Sequence, residues 1–243
     1  MGRARSAGAP RYRAAVSVLD FDKVFRGTPP ARDSVYLLRQ RVGFNKLHWL
    51  PHLPDAAFWP PELDAGTVDR RTVFQIARRA DDELGAVHTL VAAYVWTAGP
   101  KQRGAVKLGM VFDHNPGAVG PNLSAAVRRT REDGPVAGFG MLTRKGSHAL
   151  GRLPGSGFTK VLYFAAFDGK TGPLILDENV VIAVNALRGS DWGIDGPWSP
   201  EQYGDYLDYA ADWAQRWRKG TPTDLVERTL SAAGQALGAH YAR

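Results

Sequence analysis

Between Leu153 and Asp177, LPGSGFTKVLYFAAFDGKTGPLILD, three features that could do chemistry stand close together. The first is the turn Gly155-Ser156-Gly157. Glycines permit a tight turn, and a helix that starts from one presents unpaired backbone N–H groups. Those amides, together with the helix dipole, favour an anion such as phosphate. The second is Lys160, just inside that helix on the run Val161, Leu162, Tyr163, Phe164, which is apolar enough to desolvate its amine. Desolvation weakens a lysine's hold on its proton and frees it to act as a nucleophile. The third is Asp177, at the head of the next helix, where a carboxylate caps free N–H groups. A phosphate seat, an amine and a carboxylate within one helical hairpin form a single constellation.

The stretch resembles the helix-hairpin-helix DNA glycosylases and, within them, the 8-oxoguanine glycosylase branch. Leu153-Pro154-Gly155-Ser156-Gly157 is similar to that family's hairpin, Lys160 to its catalytic lysine, and Leu176-Asp177-Glu178-Asn179-Val180 to the helix start that carries its catalytic aspartate. In the family the lysine stands two residues past the second glycine, a place held here by Thr159. Either the turn carries an extra residue or the hairpin is re-registered. The resemblance implies an all-α fold of two helical lobes with a cleft between them. It also implies a DNA glycosylase that excises a modified, 8-oxoguanine-like base from double-stranded DNA, with an associated AP lyase activity. Lys160 would attack the sugar, and Asp177 would orient the nucleophile and stabilise the sugar cation. Gly155, Ser156, Gly157, Arg152 and Lys145 would hold the DNA backbone. The resemblance calls for no cofactor and implies a monomer.

Two further stretches extend it. Tyr209-Ala210-Ala211-Asp212-Trp213-Ala214-Gln215 resembles the branch's late helix, so Gln215 would read the base edge, since an amide donates and accepts together. The run has one extra residue, and Lys219 stands where the family has an aromatic, leaving Trp217 or Phe164 as a stacking face. The alternative for this aromatic stripe is core. After the central helix, Gln102 and Arg103 are either fillers of the gap left by an extruded base or an exposed basic turn. A different modified base, for example a hypermodified base of foreign DNA, and a non-catalytic helix-hairpin-helix DNA-binding protein are the competing functions. The presence of both Lys160 and Asp177 argues against the second.

Composition agrees with a polyanionic partner. The 243 residues carry a formal charge of +7 and a pI near 9.8. From Asn122 to Lys160 seven basic residues (Arg128, Arg129, Arg131, Arg144, Lys145, Arg152, Lys160) face only Glu132 and Asp133, and from Asp168 to Asp212 nine acids face Lys170 and Arg188. The basic block leads into the hairpin, as a DNA-facing surface should. The chain has no cysteine. That excludes a disulfide scaffold, a thiolate zinc site, a cysteine nucleophile and the four-cysteine cluster some helix-hairpin-helix glycosylases carry. No run reaches the ~20 apolar residues of a membrane span, and no signal-peptide core follows the basic start, so a soluble, cytoplasmic protein is expected.

The elements that must position these residues follow from periodicity and caps. Residues 1–15 read as a disordered basic arm and 16–243 as a single domain. Residues 16–25 read as a strand or extended piece, and a short helix runs from Asp33 or Ser34 to Val42. Residues 43–66 read as a long ordered loop pinned by Trp49, Phe58 and Trp59. His48 and His52 are four apart, but Pro51 between them argues against a helix and no carboxylate joins them, so no metal site is expected. Helices are expected over 67–79, 84–96 (apolar on nearly every side, hence central, with His88 in the core), 122–131, 179–187, 201–219 behind a Ser199 cap, and from Thr223 or Asp224 to 237. Residues 134–150 read as broken helix.

Overall fold

The computed structural model describes residues 19–241, with side chains to 239; the basic arm expected at 1–15 lies outside them. The chain is all-α. Its helices are α1 (Phe21–Val24), α2 (Arg70–Ala77), α3 (Glu83–Ala98), α4 (Arg103–His114), α5 (Val119–Asp133), α6 (Pro135–Leu142), α7 (Gly155–Ala166), α8 (Glu178–Arg188), α9 (Pro200–Trp217) and α10 (Thr223–Tyr241). Strands β1 (Val42–Gly43) and β2 (Thr67–Val68) pair antiparallel. No described helix is long and apolar enough to cross a membrane.

α3 is the axis, with Gly85 to Ala93 buried without a break. Asp82 caps it by accepting the Gly85 N–H, and α2, α4, α5 and α7 pack around it. That stretch needs no polar face because no side of it meets water. His88 is buried there and its Nε2 lies 2.8 Å from the Ala57 carbonyl. The 43–66 segment is ordered through short 3-10 turns, and Trp49 and Trp59 anchor it in the core.

Several expectations are corrected. The segment near the N-terminus is not a strand where described: Asp20 caps the single helical turn α1. Residues 33–39 form turns rather than a helix, and Asp33 is spent on Arg39 and Arg71. The helix expected from Thr67 begins at Arg70, because Asp69 caps it through the Thr72 N–H while Thr67 and Val68 pair with β1. α4 went unread, and α5 starts three residues before the expected Asn122 cap.

α8 is held against α10, and that packing rests on Gly234. A Cβ there would lie 1.8 Å from the Asn179 carbonyl oxygen, so only glycine lets α10 approach the first turn of α8 this closely.

Candidate active site

α7 starts at Gly155 itself and runs unbroken through Lys160. Neither Gly155 nor Gly157 has a positive φ; the left-handed residue is Arg152, at φ 65°, the one such non-glycine among the described residues. The glycines serve close approach instead. A Cβ on Gly155 would lie 2.9 Å from the Trp198 ring, and one on Gly157 would lie 2.8 Å from Leu153 and 3.2 Å from the Tyr94 hydroxyl. Pro154 occupies the cap position, and no side chain caps the helix. The N–H groups of Gly155 and Ser156 are therefore left for an anion, while the Gly157 N–H donates to the Pro154 carbonyl at 2.8 Å. Beside them opens a cleft of about 1150 Å³ lined by Arg144, Lys145, Arg152, Pro154, Gly155 and Trp198 among others.

Lys160 is buried at 8% exposure, and its Nζ donates to the Ser156 carbonyl at 2.6 Å. Burial pushes its proton affinity down. Asp177 is the strongest charge pulling it back, followed by Glu227. An amine that spends one N–H on a carbonyl keeps its lone pair for an electrophile once it is neutral. Asp177 caps α8, accepting the Val180 N–H at 3.1 Å, and is itself half-buried.

Thr159 joins the two. Its Oγ1 donates to the Gly155 carbonyl at 2.8 Å and accepts the Leu176 N–H at 3.2 Å. It precedes the lysine by one residue and bonds the residue that precedes the aspartate, so one hydroxyl fixes the backbone of both. Its neighbours on the extended segment 174–176 are held from α9. The Tyr203 hydroxyl accepts the Leu174 N–H and donates to the Leu174 carbonyl, and the Tyr206 hydroxyl donates to the Ile175 carbonyl at 3.0 Å. A buried extended segment outside any sheet must find partners for its backbone groups, and three side-chain hydroxyls supply them here.

The other sequence-based candidates do not gather at the lysine. Gln215 is exposed on α9. Trp217 is tied to the Gly27 carbonyl through its indole N–H and packs on Phe25. Phe164, one turn beyond Lys160, is core, wedged edge-on against Phe74 and Trp96. Gln102 and Arg103 are exposed where α4 begins, and the Gln102 amide nitrogen lies 3.3 Å from His48 Nε2. Among the described residues no three His, Asp or Glu side chains gather as metal ligands.

Sequence reasoning missed a buried ionic cluster behind α7. Arg70 binds Glu227 through both nitrogens, at 2.8 and 3.3 Å, and donates to the Tyr163 hydroxyl at 3.0 Å. Tyr163 in turn donates to Asp224, which also accepts from Arg32 at 2.7 Å. Only the placement of four charges on otherwise buried faces could have signalled it, and that placement exists only in the fold.

No curated protein and no solved structure matches the chain. Residues 35–231, which span α2 to the middle of α10 and contain the whole hairpin with Lys160 and Asp177, match the model of the family described as "Putative 8-oxoguanine DNA glycosylase OGG-like protein". The chain belongs to that family of DNA glycosylases.

Proposed function

We propose that the protein removes a modified base, of the 8-oxoguanine type, from duplex DNA with Lys160 as nucleophile and Asp177 as electrostatic partner. The observation that carries this reading is a desolvated amine on the second turn of α7 and an ionisable carboxylate at the cap of α8, with Thr159 tying together the backbone that carries each. The uncapped start of α7 and the basic side chains around its cleft supply a seat for backbone phosphates. The target nucleotide leaves the stack, since its glycosidic bond is unreachable within the duplex. The neutral Lys160 amine bonds to C1′ as the glycosidic bond breaks, and the electron pair leaves with the base, which is protonated on departure. Asp177 stabilises the positive charge that builds on the sugar. The new ammonium loses its proton to the ring oxygen as the sugar opens, leaving an imine that water hydrolyses or that eliminates the 3′ phosphate.

Borohydride reduces such an imine to a permanent adduct, which makes the mechanism testable. Wild-type protein is expected to be trapped on a lesion-bearing duplex, Lys160→Gln to bind without trapping, and Asp177→Asn to release base ~10²–10³-fold more slowly. Trapping that survives Lys160→Gln removes the lysine from this role. A different modified base is the second reading, because Gln215, Phe164 and Trp217 are respectively exposed, buried in the core and tied to Gly27. Incubation with duplexes carrying different lesions, scored by released base, decides between the two.

A further inference from the structure

The unbroken buried run of α3 ends at Ala93, and the next residue, Tyr94, is only half-buried. Its hydroxyl reaches the first turn of α7, 3.2 Å from the position a Cβ would take on Gly157. Lys160 folds back over the same turn, with its Nζ on the Ser156 carbonyl at 2.6 Å. The Tyr94 hydroxyl and the Lys160 amine therefore stand over neighbouring residues. At 3.6 residues per turn, Gly157 lies about 60° to one side of Lys160 on the helix and Thr159 about 100° to the other. Thr159 is the residue that bonds the segment leading to Asp177. Tyr94 and that segment thus flank the lysine from opposite sides. The fully buried tyrosines spend their hydroxyls inside the protein, Tyr163 on Asp224 and Tyr203 and Tyr206 on residues 174 and 175. The Tyr94 hydroxyl bonds no protein group among the described residues, and it is not one of the sealed atoms left without a partner, which are Glu62 Oε2, His88 Nδ1 and Asp224 Oδ1. It is an open donor beside the amine, and glycine at 157 leaves the room it occupies.

We propose that Tyr94 is a further catalytic residue: its hydroxyl donates a hydrogen bond to the departing base, at a carbonyl oxygen or ring nitrogen of an oxidised purine, on the flank of Lys160 away from Asp177. The inference rests on the reading of Lys160 as the nucleophile. In that reading two charges grow as the C1′–N bond breaks. The positive one is on the sugar, where Asp177 meets it. The negative one is on the base, which takes the bonding electron pair, and neither a carboxylate nor a neutral amine engaged with C1′ can stabilise it. A fixed neutral donor can, because it is worth more to the charged transition state than to the uncharged ground state. Burial pushes the Tyr94 phenol up to about 12, so it keeps its own proton while it donates. The base then takes its proton from water once the bond is broken, and Tyr94 is unchanged at the end of the step.

Tyr94→Phe removes the hydroxyl and keeps the ring. Since no protein group loses a partner, the variant should melt within about 2 °C of the wild type. Base release under single turnover is followed on an 8-oxoguanine duplex, or on whichever lesion duplex the wild type processes. Borohydride trapping is followed separately on a pre-formed abasic-site duplex, from which no base has to leave. Release should slow by about 10–100-fold, the worth of one hydrogen bond to a growing charge, while trapping stays within a factor of about two. Release at the wild-type rate would overturn the inference. An equal fall in release and trapping would overturn it as well, because the hydroxyl would then act on the sugar or on Lys160 and not on the base. The nucleophile reading survives both of those results. A wild-type protein that releases no base and traps on neither duplex would instead overturn the reading of Lys160, and the inference with it.

Discussion

Lys160 carries a cost to the fold. Its burial lowers its affinity for a proton in the fold. At any pH between the folded and the ordinary lysine value, unfolding therefore takes up a proton, and the lysine weakens the fold. The penalty grows as pH falls through that window and is absent above the ordinary value. Lys160→Met should thus raise stability at neutral pH by about 1 kcal/mol, roughly 2–4 °C in Tm, and the gain should shrink towards pH 10.5. Thermal denaturation of the two proteins at both pH values checks this, and a lower Tm for the mutant at pH 7 would contradict it. Thr159 offers the complementary case. Thr159→Val keeps volume but strands the buried Leu176 N–H, at a cost of about 1–3 kcal/mol. The backbone of Asp177 then loses its tie to α7, so base release should slow by at least tenfold on top of the lost stability. A variant that melts lower yet releases base at the wild-type rate would reduce Thr159 to a structural residue.

At the scale of elements, what could be read in the chain was whatever depends on local order. The apolar run of α3, the Ser199 cap with its Gln202 partner, and Asp177 as the cap of α8 all follow from neighbours a few residues away. Partners distant in sequence could not be read. Thr159 looked like a displaced lysine position, although its value lies in Leu176, seventeen residues on. The aromatic stripe of α9 had two readings from sequence, a base pocket or core. Tyr206 and Trp213 are buried, and the hydroxyls of Tyr203 and Tyr206 are the hydrogen-bond partners of segment 174–176. The glycines of the hairpin were read as conformational, whereas Trp198, Leu153 and Tyr94 press against them. Tyr206→Phe tests the element as a unit. It removes one hydroxyl, leaves the ring packing, and orphans the Ile175 carbonyl, so it should cost about 1–2 kcal/mol in urea denaturation. It should also lower the rate of base release while leaving DNA affinity within a factor of two, because α9 acts on the segment before Asp177 and not on the phosphate seat. A loss of affinity equal to the loss of rate would mean that α9 supports the whole hairpin.

At the scale of the whole molecule, the basic block divides in two. Arg128 donates to the Asp81 carbonyl, Arg129 pairs with Asp133, and Arg131 reaches both Asp81 and the Ala165 carbonyl at the end of α7. These three serve the protein: Arg128 and Arg131 brace α5 against its neighbours, and Arg129 is spent within its own helix. Arg144, Lys145 and Arg152 are exposed and line the cleft at the uncapped start of α7, with no carboxylate paired to them among the described residues and Asp195 as the one acid in the lining. Lys160 is buried and contributes nothing to a surface. Net charge alone therefore overstates the DNA-facing surface, and the two halves should separate by experiment. Each phosphate contact releases counterions and adds about 0.9 to the slope of log affinity against log salt. Replacing Arg144, Lys145 and Arg152 together by alanine should flatten that slope by up to about 2.7. Replacing Arg128, Arg129 and Arg131 should lower thermal stability and leave the slope within about 0.5 of the wild type. Fluorescence anisotropy on an undamaged duplex between 50 and 200 mM salt measures both sets without requiring catalysis. If the second set flattens the slope as much as the first, the duplex lies along α5 rather than over the cleft, and the phosphate seat must be sought away from the start of α7.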